Sequence, residues 1–337
     1  MHTPAARGSL SSHVLRSLAS PQAVAPLPHE LVAQATDPVD DSDFQLALWM
    51  LYELHYGGFD DVPDEQEWAP HLIAIRRVLE ERLEQDLRRR TQDAVEMAER
   101  AGGTVVDQLF AMTGHDTAPA AAAYLQRRAT REQVQEFLRQ RSVYHLKESD
   151  PQSFAVPRIG GRAKVALAEL QYDEYGAGRT EGLHSALFAR ALDAAGLDST
   201  YGAYLDEASA TTLAVNNTMS LFSLNRRLRG ASLGHLAAFE ATSSIPCRMI
   251  ARGIERLGFP ADVAAYFHEH VEADAVHEHL AIRDICGALV EDHPELHPDV
   301  LFGAAASLHL DTVAAQALLG RWETSDDPVH EPAGAPA

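Results

Sequence analysis

Four histidines and four acidic residues crowd into FHEHVEADAVHEH, residues 267–279. At about 100° per residue on a helix, His270, Asp274 and His277 fall within roughly 60° of one another, whereas His268 and His279 point the opposite way. Imidazole and carboxylate groups on one face are metal-ligand types. Tyr266, Phe267, Ala273, Leu280 and Ala281 beside them are the neighbours expected where a helix turns into a core. Burying three such groups together costs several kcal/mol unless they are paired or bound to a metal. A satisfied core histidine remains the alternative for any one of them, so a metal reading requires donors from other helices.

Candidates for those donors occur upstream. Glu240 stands among apolar and small residues in LGHLAAFEATSSIPCRM, in a helix that Pro246 is expected to kink. Glu174 and His184 bracket EYGAGRTEGLH, where Gly176, Gly178 and Gly182 loosen the backbone enough for both side chains to turn inward. On one ideal helix they would lie about 80° apart. Glu148, just before the break at Pro151, reads equally as a helix-end acid in water or as a ligand. Mixed carboxylate and imidazole ligation suits iron or manganese, and inward-facing donors on bundle helices are how carboxylate-bridged di-iron sites are built. Zinc without thiolates stays chemically open.

The elements that must position these groups read as helical almost throughout. In HLIAIRRVLEERLEQDLRRRTQDAVEMAERAG, residues Ile73, Val78, Leu79, Leu83 and Leu87 recur at helical spacing until Gly102 and Gly103. TREQVQEFLRQRSVYHLKES opens with a capping pattern at Thr130 and ends at Asp150-Pro151. Further helices are expected at about 161–175, 180–195, 208–228, 231–257, 260–288 and 297–322. Sustained period-2 alternation is absent, so the fold class is all-α. The expected organisation is a Pro/Ala/Ser-rich mobile arm over 1–40 that can dock on the body, accessory helices over 41–127, a helical core over 128–322 and a disordered tail over 323–337.

Composition narrows the functions. The balance of 28 basic and 49 acidic residues, a net charge of −21, repels phosphate backbones and anionic membranes, so neither nucleic acid nor membrane is an expected partner. There is no apolar run of about eighteen residues and no secretory pattern at the N-terminus, which makes a cytoplasmic location the expectation. Cys247 and Cys286 are far apart in helical segments and read as reduced buried thiols.

The order and separation of Glu148, of EYGAGR with His184 ten residues after Glu174, of GHLAAFE ending in Glu240, and of HVEADAVH resemble the haem-oxygenase-like di-iron oxidases and oxygenases, over about 140–320. The nearest branch is the N-oxygenases that include the central domain of the nitrosourea-forming enzyme of streptozotocin biosynthesis. This resemblance implies a haem-oxygenase-like helical bundle with additional N-terminal helices, two Fe(2+) per chain, and Glu148, Glu174, His184, Glu240, His270, Asp274 and His277 as ligands. It implies too that one carboxylate bridges the irons, and Glu174, Glu240 and His270 are the expected catalytic residues. It further implies O2 as co-substrate and N-oxygenation of an amine or amino-acid-derived substrate in specialised metabolism. Desaturation or C–C cleavage of an amino acid or fatty acid is one alternative. A metal-free ligand-binding protein of the same fold is another. With no flavin or nicotinamide motif, an external electron donor is required, and a homodimer stays open. Asn216, Asn217, Ser220, Asn225 and Arg179 are candidate substrate-side groups, Arg179 equally a structural one, and Asp284 is a candidate support for a ligand. Arg226, Arg227 and Arg229 read as a solvated helix end.

Overall fold

The computed structural model describes residues 1–19, 27–114 and 120–326, and within these the side chains of all but His29, 272–276 and 324–326. The chain begins with α1 (Ser9–Ala19), α2 (His29–Gln34), α3 (Ser42–Glu53), α4 (Pro70–Ala101), α5 (Val105–Thr113) and α6 (Ala120–Arg127). The helices that carry the candidate ligands or flank them follow: α7 (Arg131–His145), α8 (Asp150–Ser153), α9 (Gly161–Glu174), α10 (His184–Ala194), α11 (Ala210–Leu224), α12 (Arg229–Arg256), α13 (Ala261–His279), α14 (Ala288–Asp292) and α15 (His297–Asp326). Among the described residues strand structure is limited to one antiparallel bridge, Tyr175 to Leu183.

Local chemistry accounts for the helix ends. Asp41 caps α3 by accepting from the amides of Asp43 and Phe44, and Thr130 and Gln133 form a reciprocal capping box at α7. Gly102 and Gly103, both at positive φ, stop α4. Its buried stripe is Leu72, Ile75, Leu79, Leu83 and Leu87, while Ile73 and Val78 sit only half-buried beside it.

The N-terminal arm docks. Leu10, Val14 and Leu18, one turn apart on α1, are buried against the core, and the Met1 amine pairs with Asp60 at 3.0 Å. Its low-complexity composition hides a short amphipathic period. At the other end α15 continues to Asp326, past the helix end expected at 322, and residues 327–337 lie outside the described residues.

The long helix α12 organises the bundle, packing along α13 on one side and α15 on another. Two glycines permit the second contact: a Cβ on Gly234 would fall 1.9 Å from the Val300 carbonyl oxygen, and one on Gly303 would fall 2.0 Å from that of Ala231. Pro246 sits inside α12 without ending it. The segment expected as one helix over 260–288 is α13 followed by a π-helical stretch, Leu280–Gly287, before α14. The wider turn rotates every later side chain relative to an ideal α-helix.

Candidate metal centre

Each candidate ligand is delivered by a distinct local device. α7 ends at His145, and Ser149 then adopts φ +67°, a left-handed backbone that is unusual for a residue with a side chain. This turn carries Glu148 into the bundle. Glu174 is the last residue of α9, and the chain behind it makes a tight excursion through Gly176 (φ +76°), Ala177 (φ +51°) and Gly178 (φ +80°). A Cβ on Gly176 would lie 2.5 Å from the Leu183 amide, so only glycine lets the two ends of the excursion meet. His184 opens α10 directly after it. An ideal-helix angle of about 80° between Glu174 and His184 therefore has no bearing, because the chain leaves the helix between them. Glu240 comes from the middle of α12, and His270 and His277 lie two turns apart on α13.

The described donors form two buried triads. Glu148, His184 and His270 offer atoms within 4.8 Å of one another, and so do Glu174, Glu240 and His277. Glu174 joins them: its Oε2 lies 3.0 Å from His184 Nδ1, and its Oε1 lies 3.6 Å from His277 Nδ1. Within the triads His270 Nε2 approaches Glu148 Oε1 at 3.4 Å, and His277 Nδ1 approaches Glu240 Oε2 at 3.4 Å. Two donors each about 2.1 Å from one metal and subtending about 90–110° would be separated by about 3.0–3.4 Å. The spacings of 3.0, 3.4 and 3.4 Å fall in that range, and the 3.6 Å between Glu174 and His277 lies just beyond it. The Nδ1 atoms of His184 and His277 are also buried without a well-aligned hydrogen bond, although a carboxylate is near each. Iron is therefore compatible with both the donor types and their spacing.

The surrounding groups fix these donors. His270 Nδ1 lies 2.9 Å from the Tyr266 carbonyl oxygen, which holds its proton there and turns Nε2 toward Glu148. The Tyr266 hydroxyl lies 2.8 and 2.9 Å from the two Glu148 oxygens. Asp173 approaches His277 Nε2 at 3.4 Å, a carboxylate placed behind an imidazole. Burial alone would raise the Glu148 carboxyl, but His145, His270 and His184 hold it down to about 2. Burial also opposes charge on His277, yet Glu240, Glu174 and Asp173 raise it to about 9. Glu240 is raised chiefly by burial, with Glu174 adding to it.

Sequence reasoning missed His145. Its Nδ1 lies 2.9 Å from the Arg141 carbonyl oxygen and its Nε2 4.0 Å from Glu148 Oε1. Burial depresses it to about 4, so near neutral pH it is an uncharged base. The only sequence signal was its position three residues before Glu148. Two adjoining cavities of about 90 and about 100 Å³ share Arg141, His145, Val215, Phe239 and Asp311, and the smaller one reaches Glu148 and His270.

The remaining sequence candidates separate clearly. Asn216 lines the larger cavity, whereas Asn217 binds Gln45, Ser220 meets the Tyr56 hydroxyl and Asn225 binds Glu80, so these three tie helices together. Arg179 is exposed on the loop after α9, away from the cavity lining. Asp284 is exposed because the π-helical stretch turns it outward. Arg227 pairs with Glu84 at 2.5 Å instead of standing free in solvent. The Asp274 side chain lies outside the described residues. His268 and His279 face outward, His268 paired with Glu255 at 2.9 Å. Cys247 and Cys286 are both buried. Among the described residues no helix is long and apolar enough to cross a membrane.

The family model of the iron-containing redox enzymes, haem-oxygenase-like, matches residues 135–312, which contain all these donors. Over 199 residues the chain is 27% identical to nitrosourea synthase of Streptomyces achromogenes subsp. streptozoticus, covering 59% of this chain and 42% of that one. It thus spans less than half the length of this relative. Two crystal structures of a CADD-like protein of unknown function from Nostoc punctiforme share the fold with TM-scores of 0.52 and 0.51. Their identities are 19% and 20%, over 64% and 67% of this chain and 96% and 97% of theirs.

Proposed function

The chain belongs to the haem-oxygenase-like family of iron-containing redox enzymes, and from that premise we propose that it is a non-haem di-iron oxygenase. The observation that carries this reading is the pair of adjoining buried triads joined through Glu174. Glu148, His184 and His270 would hold one iron. Glu240 and His277 would hold the other, with Asp274 as the further ligand that the sequence pattern suggests, and Glu174, which lies between the two triads, would serve both. Two ferrous ions held there would supply the electrons that reduce dioxygen, a co-substrate used with an external donor that restores the ferrous state.

The chain's own residues do the rest. Tyr266, Phe188 and Phe239 wall the centre with aromatic surface that excludes water. Neutral His145, beside Glu148 and on the cavity wall, can take or return a proton at Nε2. The cavity leads a small substrate toward the Glu148 and His270 side of the centre. N-oxygenation of an amine or amino-acid-derived substrate is the preferred outcome, supported by the nitrosourea synthase relative. The largely apolar walls, with Val215, Phe239 and Ile250, favour a second reading in which a substrate with an apolar body is desaturated or cleaved at a C–C bond.

Anaerobic loading with ferrous iron, Mössbauer spectroscopy and exposure to oxygen with candidate substrates test the proposal. Two high-spin ferrous sites per chain and an oxygen-dependent product are expected. A stoichiometry below two irons in fully loaded protein would overturn the di-iron reading, and the identity of the product separates N-oxygenation from desaturation or cleavage.

A further inference from the structure

The turn that carries Glu148 is held from outside the region matched by the family model. Lys147, the residue before Glu148, turns away from the metal centre and places its Nζ 2.9 Å from Glu53 Oε2 at the end of α3. Both side chains are buried. The Tyr201 hydroxyl donates to the same Glu53 oxygen at 2.8 Å, and the Gly57 amide donates to the other at 3.2 Å. Around the ammonium stand three aromatic rings, with Tyr56, Trp49 and Tyr201 centroids at 4.3, 5.2 and 5.7 Å. On the far side of Glu148, the Ser149 hydroxyl donates to Glu174 Oε2 at 3.2 Å and its carbonyl accepts from Gln171 at 3.0 Å. Glu148 is therefore suspended between two anchors, one on α3 and one on α9, across a left-handed backbone residue.

A buried ion pair adds little stability over well-packed apolar groups of similar size, whereas its directionality fixes one arrangement. We propose that Lys147, gripped by Glu53 and its aromatic cage, is a positioning residue that holds Glu148 at the metal centre, so that the N-terminal helices complete the site. This rests on the reading of Glu148 as a metal ligand. The clamp also explains why a charged pair is buried at a junction that hydrophobic side chains could fill.

The test is anaerobic titration of the full chain with Co(II), followed through its d–d absorption, alongside urea unfolding of the metal-free protein. Wild type, the charge-neutral double variant Lys147→Met with Glu53→Gln, and Leu83→Ala are compared. Leu83 is buried on α4, away from the centre, so its variant reports what lost stability alone does. The double variant should bind one Co(II) about 10–100-fold more weakly and keep the other, as expected when the support of a ligand is lost. Leu83→Ala should unfold at lower urea with both affinities unchanged. Wild-type affinities for both ions in the double variant would overturn the inference alone, as would an equal affinity loss in Leu83→Ala. Wild type that binds no metal would overturn the underlying reading as well. Should the double variant fail to fold, Tyr201→Phe removes one donor from Glu53, and a weakened, blue-shifted or broadened signal at one ion is expected. Its spectrum and both affinities staying at wild-type values would then overturn the inference.

Discussion

In the proposed di-iron centre, Glu174 is the donor whose loss should be felt at both metals. Its oxygens lie 3.0 Å from His184 Nδ1 and 3.6 Å from His277 Nδ1, so each faces a different triad. His270 and Glu240 each belong to a single triad. Losing a group that merely supports a ligand weakens metal binding by about 10–100-fold, so a direct donor is assigned the upper end, about 2.7 kcal/mol per site at saturating metal. Glu174→Ala should then lose about 5 kcal/mol of metal-conferred stability, and His270→Ala or Glu240→Ala about half of that. At about 2 °C per kcal/mol for a chain of this size, the metal-induced rise in Tm should shrink by about 10 °C in the first variant and about 5 °C in the others. Differential scanning calorimetry with and without Mn(II) under one fixed excess measures this, with metal per chain determined after gel filtration. The reference for each variant is its own metal-free form, which removes any effect of the substitution on the apo fold. A Glu174→Ala protein that loses no more than the single-triad variants, or that retains one metal at wild-type affinity, would refute the shared carboxylate.

Three other outcomes follow from the packing and the charges. Gly303→Ala puts a Cβ about where the Ala231 carbonyl oxygen now approaches, 2.0 Å away, so α12 and α15 must separate. Urea unfolding should show a loss of about 1–3 kcal/mol, and a wild-type midpoint would mean that the helices do not cross this closely. His235 is buried and depressed to about 4 by that burial. Its folded form resists protonation, so its contribution is complete above the unfolded value of about 6.5 and is lost as pH falls toward 4. Between pH 7 and pH 5 wild type should lose on the order of 2 kcal/mol more than His235→Leu, and parallel curves for the two proteins would contradict the assignment. Val215→Trp fills the space shared by the two cavities. Substrate turnover should fall by at least tenfold, on the order of the 1.4 kcal/mol that a tenfold rate represents, while metal content stays at the wild-type value. Unchanged turnover would place the substrate path elsewhere.

What could be read from the sequence depended on how local the determining physics was. The common facing of His270 and His277 follows from helical periodicity alone, which operates within two turns and needs no partner. The capping box at Thr130 and the stop at Gly102 and Gly103 are equally local. Glu174 and His184 could be singled out by type, but not oriented, because their relation is set by an excursion whose closure depends on the approach of Gly176 to Leu183. Asp284 was misplaced because the π-helical stretch cannot be read from apolar spacing, and its one wider turn moves an inward position outward. Lys147 illustrates the limit most clearly. In sequence it is one more charged residue near a helix end, and its partner Glu53 lies 94 residues away in a segment that composition marks only as accessory. Neither residue carries a local sign of burial. Each becomes tolerable in the core only through the other, so the N-terminal helices and the turn that carries Glu148 have to be understood as one unit.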